Sequence, residues 1–436
     1  METANNDQYN IEMNKLLRGI TVLGLTGAVL LCSCTTNLGP ETLPSITTAT
    51  ETTIETEPTE TEPTLPPEAT EPSSVAVVTD SIVENEGTLS VSGTKIVNSE
   101  GEEVVLKGMS TFGIQNCEGF FTEEVVKTLA EDWGCDVLRI ALTGDKDIEG
   151  YLKDPDKYFD MVCKICDLCI DQGIYVIVDW NVAYYEDAEE TKEACVDFFT
   201  RLSAIYSDSP NLIYEVNNYP LFYEEPDEDS DEVPNEWEDM IKPFATDVIN
   251  AVRENNPDCI VIVGVPNNGL DVNAVSESWL EFENIIYGCR VFSGSNKQEM
   301  RDNISLLLDE EACVFITEWS FCTEYLKGGI FRNESEKWAL FLEANGISWC
   351  SVGIGSDIDN DTNALLLNAE NYTDAQKYGG HWPDGLLSDA GLYARELLLS
   401  EPSAQIDTET TEPADEETES TEDSYAEDGE DDDDEE

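Results

Sequence analysis

Between residues 87 and 400, eight short and nearly unbroken apolar runs alternate with longer amphipathic stretches. The runs are Val104–Met109, Asp136–Leu142, Ile174–Trp180, Asn211–Asn217, Cys259–Val265, Asn284–Val291, Ala312–Glu318 and Gly346–Ser351. They lack strict polar–apolar alternation, which predicts strands covered on both faces, as in a parallel sheet. The segments Glu123–Trp133, Tyr158–Gln172, Glu189–Tyr206, Trp237–Asn255, Gln298–Leu308 and Ser335–Ala344 predict crossover helices, and Leu392–Leu399 a last one. Eight such units predict an α/β fold, a closed (β/α)8 TIM barrel. The alternative is an open doubly wound sheet, but no Gly-x-Gly-x-x-Gly turn follows the first run. Ahead of the barrel, Leu89–Val97 and Val104–Leu106 flank Asn98-Ser99-Glu100-Gly101, which predicts an N-terminal β-hairpin across the barrel bottom.

Both flanks differ sharply from this block. Of 94 acidic and 22 basic residues, 11 acids and no base lie in 35–86, and 19 acids and no base in 401–436. Residues 34–86 form a Thr/Glu/Pro linker and 401–436 an acidic tail; like charge, proline and low hydrophobicity predict disorder for both. The span 87–400 keeps 61 acids against 20 bases, so it repels phosphate backbones and no nucleic-acid partner is expected. Residues 1–33 read as an export signal: Lys15 and Arg18 precede the apolar run Gly19–Leu31, which is shorter than the ~20 residues of a spanning helix. That run ends in Leu31-Cys32-Ser33-Cys34, which resembles a bacterial lipobox and makes Cys34 the expected lipidation site of an exported, surface-anchored lipoprotein. An uncleaved anchor and a plain secretory signal are the alternatives. Met13 is a second candidate start.

In a barrel of this kind the chemistry sits at the carboxyl ends of the strands. Here those tips carry Lys107-Gly108-Met109-Ser110-Thr111, Val178-Asp179-Trp180, Pro210-Asn211-Leu212-Ile213-Tyr214-Glu215, Ile316-Thr317-Glu318-Trp319 and Ile347-Ser348-Trp349-Cys350. Together these stretches resemble glycoside hydrolase family 5, above all its bacterial endo-β-1,4-glucanases (cellulases), from about Leu89 to Leu399. The resemblance implies retaining cleavage of β-linked glucans by two glutamates, one acid/base and one nucleophile, with no cofactor. It places the nucleophile at Glu318. It places the acid/base in an Asn-Glu-Pro motif that this chain spells Asn218-Tyr219-Pro220. A phenol with a pKa near ~10 donates a proton poorly and cannot act as a base near neutrality.

Other departures follow the same direction. The family's histidines after strands one and three fall at Phe112 and Asn181, and its His-x-Tyr pair at Arg290-Val291-Phe292. The tryptophan that floors the sugar subsite falls at Val352, while Trp319 remains beside the nucleophile as a candidate sugar contact. Of eight recurrent active-site positions, Arg139, Asn218 and Glu318 are unchanged. Arg290 and Glu318 close neighbouring strands, so a guanidinium–carboxylate pair filling the old subsite is expected. Glu215 shares a strand with Tyr219 but lies four residues, about 13 Å, deeper, too far to replace the acid. Glu224 and Glu225, in the loop Leu221–Asn235, are the alternative donors.

The expected function is therefore a cellulase-like domain with impaired or absent hydrolysis that retains β-glucan or other polysaccharide binding. The alternatives are an active glycosidase with a relocated acid and a non-carbohydrate solute-binding lipoprotein. Tyr184, Tyr185, Tyr219, Phe222, Tyr223, Trp319 and Tyr325 gather near the expected mouth, either to stack on sugars or to close it by packing. Cys163, Cys166 and Cys169 have iron–sulfur-like spacing but lie in a helical pattern, and 11 cysteines remain after Cys32 and Cys34, so buried free thiols are expected and no metal. The one histidine, His381, reads as structural.

Overall fold

The computed structural model describes residues 81–144, 150–181, 188–217, 235–276, 278–324, 326, 328–355, 364–367 and 372–400. The chain divides into two units, Met1–Leu399 and Ser400–Glu436. The expected signal, lipidation site and acidic tail lie outside the described residues, as does most of the linker.

Eight parallel strands close into a barrel: β3 (Lys107–Ser110), β4 (Val137–Thr143), β5 (Tyr175–Asn181), β6 (Leu212–Val216), β7 (Val261–Gly264), β8 (Ile285–Phe292), β9 (Val314–Ser320) and β10 (Ser348–Val352). Each falls within or beside one of the eight apolar runs, and the barrel is the expected one. The first strand begins three residues late because Val104 and Leu106 are used below it, inside the barrel bottom. Ahead of it, β1 (Ser90–Ser92) and β2 (Lys95–Val97) form an antiparallel hairpin. Its tight turn is Gly93-Thr94, with Gly93 at φ +58°, and not Asn98–Gly101 as the sequence suggested. The second turn also forms, bridging Val97 to Glu103. Leu89, Ile96, Val104 and Leu106 pack there with Ile177, Ile213, Ile262 and Phe315, so the hairpin region plugs the lower end.

The folded part also starts earlier than Gly87. Ser81 caps the short helix Ile82–Glu86, accepting from Glu84 N, and its Oγ donates to the Gly173 carbonyl at 2.7 Å. Two expected helices are interrupted. Glu123–Lys127 widens into a π turn at Thr128–Asp132, and a π turn at Glu236–Ile241 precedes the helix Lys242–Arg253. In the second case Pro243 has no N–H to continue the helical ladder backwards, so the regular helix has its first turn there. The helices Pro155–Asp171, Ala188–Ile205, Gln298–Asp309, Arg332–Asn345 and Asp389–Leu398 surround the barrel as expected.

The cysteines of the helix Pro155–Asp171 belong to that packing, and all 11 described cysteines are free. Burial pushes the Cys259 thiol up to about 11 and the Cys313 thiol up to about 12. Among the described residues no helix is long and apolar enough to cross a membrane, and no group of His, Cys, Asp and Glu could hold a metal.

Candidate active site

Above the apolar plug the barrel interior changes character. Period-two alternation aims Arg139 on β4, Asp179 on β5 and Glu215 on β6 inward, one layer above Val137, Ile177 and Ile213, and Arg290 on β8 inward, two layers above Ile286 with Gly288 between. Glu318 reaches the same layer by a different route. Across β8 and β9 the pairing moves from Cys289↔Ile316 to Arg290↔Glu318, so β9 carries one extra residue at Thr317. The β10 side shows the same slip, from Trp349↔Ile316 to Ser351↔Trp319. Such a bulge reverses the facing of every later side chain. Phe315 points inward; beyond the bulge Glu318 points inward and Trp319 outward.

Arg139 is the hub. Its Nε donates to Glu215 Oε2 at 2.5 Å and one terminal nitrogen to Glu215 Oε1 at 3.2 Å. The same nitrogen donates to Asp179 Oδ2 at 2.7 Å, and the other to Ser110 Oγ at 2.9 Å and Glu318 Oε1 at 3.0 Å. Arg139, Asp179 and Glu215 are fully buried. Burial alone would lower the Arg139 pKa, but the Glu215, Asp179 and Glu318 carboxylates outweigh it and keep the guanidinium charged. Burial lifts Glu215 above the usual carboxylate range, and Arg139 draws it back only in part. Glu318 behaves oppositely: burial would raise it, but Arg290 and Arg139 hold it below that range.

Arg290 supplies the second clamp. Its Nε donates to Glu318 Oε2 at 2.8 Å, so each oxygen of Glu318 carries a charge-assisted hydrogen bond from a different guanidinium. Its Nη1 reaches the Asn268 carbonyl at 3.4 Å, and its guanidinium lies over the Phe292 ring, 5.1 Å from the centroid. The loop after β7 is shaped to receive it. Asn267, Asn268 and Gly269 follow one another at φ +54°, +58° and +77°. A Cβ on Gly269 would stand 2.8 Å from Arg290 Cγ. Glycine is thus required there for both conformation and space. Glu236 braces this loop by accepting from Asn267 N at 3.0 Å, and burial pushes its carboxyl up to about 7.

The sequence-derived site residues divide accordingly. Arg139, Arg290 and Glu318 come together, with Phe292 under Arg290. Phe112 is half-buried, and its ring stands 2.7 Å from where a Cβ of Gly353 would lie. Val352 is buried opposite Ser110, and Asn181 closes β5 half-buried, its carbonyl accepting from Gly144 N. Trp319 is corrected. It is fully buried against Phe321 and Trp349, with Nε1 donating to Ser293 Oγ, because the Thr317 bulge turns it toward the helices and leaves no face for a sugar. Asn218, Tyr219, Glu224 and Glu225 lie outside the described residues, as do Tyr184, Tyr185, Phe222, Tyr223 and Tyr325. His381 is exposed beside Asp132.

The acidic partners of Arg139 were not foreseen as a cluster. In the sequence Glu215 reads only as an acid too deep to replace the missing one, and Asp179 only as part of a stretch that resembles the family. A charged residue at the end of an otherwise apolar strand is the signal that marks both.

A profile for Cellulase (glycosyl hydrolase family 5) matches residues 97–356. Endoglucanase A of Evansella cellulosilytica is 32% identical over 303 residues, covering 70% of this chain and 58% of that protein. An endoglucanase of Clostridium saccharobutylicum is 30% identical over 312 residues, covering 72% and 65%. The chain therefore spans less than two thirds of the length of these curated relatives. Among solved structures, the Thermobifida fusca endoglucanase Cel5A catalytic domain in complex with cellotetraose is 25% identical with a TM-score of 0.65, covering 74% of this chain and 100% of that one. With the closed barrel, these matches establish that the chain belongs to glycosyl hydrolase family 5, the cellulase family.

Proposed function

We propose that this protein binds β-1,4-glucan at the barrel mouth and hydrolyses it poorly or not at all, displayed on a bacterial surface by a lipid anchor at Cys34. The observation that carries the reading is the state of Glu318, whose two oxygens are engaged by Arg139 and Arg290. Retaining hydrolysis needs a carboxylate nucleophile and a second carboxyl about 5–5.5 Å away, and the chain has Tyr219 where the resemblance to the family places the second one. Loss of acid/base assistance alone costs about 10²–10⁴ in rate. Binding is supported by the family and by the cellotetraose bound to the Thermobifida fusca relative. Incubating the purified protein with soluble β-glucan tests it: reducing ends well above background overturn the non-hydrolytic reading. Calorimetry against cello-oligosaccharides tests the binding, and absence of heat at millimolar ligand refutes it in favour of a non-carbohydrate role. Cys34→Ala is expected to move the protein from the membrane fraction to the soluble one.

One observation favours a second reading, a glycosidase with a relocated acid. Glu236 is a half-buried carboxyl pushed up to about 7, one loop away from Arg290. If turnover is found, Glu236→Gln abolishes it under this reading and leaves it unchanged otherwise.

A further inference from the structure

We infer that Glu318 is a competent nucleophile held shut by Arg290, and that removing the Arg290 side chain lets it form a glycosyl ester with β-glucosides whose leaving group needs no proton. This rests on the site binding β-glucosides, as proposed above. The two guanidinia on Glu318 are not equivalent. Arg139 is committed to Glu215 and Asp179 through three hydrogen bonds, which fix it beneath Glu318 whether or not Arg290 is present. Arg290 reaches Glu318 from the next strand and is seated by the left-handed Asn267–Gly269 turn, which leaves no room for a side chain at Gly269. Its position is therefore built into the barrel rim. A carboxylate oxygen keeps a second lone pair when it accepts one hydrogen bond, but a 2.8 Å hydrogen bond from a cation draws off the negative charge that attack on an anomeric carbon requires, so Arg290 lowers the nucleophilicity of Glu318.

The missing acid and the locked nucleophile are separable defects. A sugar leaving group departs only with a proton, which Tyr219 supplies poorly. A 2,4-dinitrophenolate departs as a stable anion. With an activated glycoside, a Glu318 oxygen bonds to C1, the C1–O(aryl) bond breaks, and its electron pair leaves on the phenolate. No proton, oxidant or second reactant is required. A fluorine at C2 of the sugar slows hydrolysis of the resulting ester, so the adduct accumulates.

The test uses the full-length protein with 2,4-dinitrophenyl 2-deoxy-2-fluoro-β-cellobioside, following phenolate release and intact mass. Arg290→Ala is expected to release one equivalent of phenolate and gain one glycosyl group on Glu318. The unaltered protein should react slower by roughly tenfold or more, the rate equivalent of one charge-assisted hydrogen bond. Arg290→Lys restores a cation beside the carboxylate and stays slow, whereas a purely structural role for Arg290 would leave all three alike. Equal labelling of the unaltered protein and Arg290→Ala overturns the lock. An unlabelled Arg290→Ala that melts cooperatively and still binds cello-oligosaccharide also overturns it and leaves the binding reading intact. No oligosaccharide binding by the unaltered protein sinks that reading, and the inference with it. Labelling of the Arg290→Ala, Glu318→Gln double variant shows that another group reacted and refutes the assignment. Should Arg290→Ala not fold, Arg290→Met, closer in volume, takes its place.

Discussion

The lower and upper halves of the barrel interior are built on opposite principles. Below, Leu106, Ile177, Ile213, Ile262 and Phe315 fill the space between the hairpin and the charged layer by volume alone. Above, three carboxylates and two guanidinia occupy one layer at or near full burial. An apolar layer tolerates trimming, because the loss scales with the atoms removed. A buried ionic layer does not, because removing one member leaves the others charged and desolvated. Natural barrels place chemistry at the strand tips, so the rigid plug can be read as support and the charged layer as the inherited site.

The largest expected break comes at the hub. Arg139→Met is expected to cost about 3–5 kcal/mol in denaturant unfolding, since it strands Asp179, Glu215 and Glu318 together. A loss under about 1 kcal/mol would erase the contrast between the halves.

Next is Glu318→Gln, with a loss of about 1.5–3 kcal/mol at neutral pH, the worth of hydrogen bonds to a charged group. Because the folded-state pKa of Glu318 is depressed, its stabilisation is present above the unfolded value near 4.5 and fades as pH falls through the folded value. Glu318→Gln should therefore show a flatter loss of stability on acidification, and an unchanged acid limb would contradict the two-guanidinium clamp. In the plug, Ile262→Val is expected to cost only about 0.5–1.5 kcal/mol. A cost matching that of Arg139→Met would mean both halves obey one rule.

A smaller effect lies outside both layers, at Glu236. Its folded-state pKa is raised to about 7, so it favours the folded state while protonated and loses that contribution as pH rises from about 4.5 through 7. Glu236→Gln should match the unaltered protein in acid and be slightly more stable above pH 7. Equal melting temperatures at pH 8 would show that Asn267 compensates the charge fully. The smallest expected change is none: Tyr219→Glu alone leaves turnover of soluble β-glucan at background, because Arg290 still holds Glu318 and Phe112, Asn181, Phe292 and Val352 are unaltered.

Much of this architecture was legible in the residues. Near-continuous apolar runs mark strands buried on both faces, and all eight appear within a few residues of their expected bounds. Arg290 and Glu318 were placed on neighbouring strand ends, and they meet. Trp319 stands next to Glu318 in the sequence and reads as a residue of the mouth, but the extra residue at Thr317 turns it outward. Nothing in Ile316-Thr317-Glu318 signals a bulge, since it depends on the registers of β8 and β10 on either side. The polar Asn98–Gly101 is the turn that the sequence marks, and only the pairing of Ser92 with Lys95 reveals Gly93-Thr94 as the turn of the ladder.

The amino-acid sequence by itself determined the barrel and the family, and it puts Tyr219 where the resemblance leads one to expect a glutamate. Those follow from local periodicity and from which residue types stand at the strand tips. Tertiary structure decided the electrostatic state of the site. Whether Glu318 is free or bound depends on a one-residue bulge, on a left-handed turn after a different strand, and on two guanidinia drawn from elements far apart in the chain. Distance and dielectric set these effects, and both exist only once the barrel has closed.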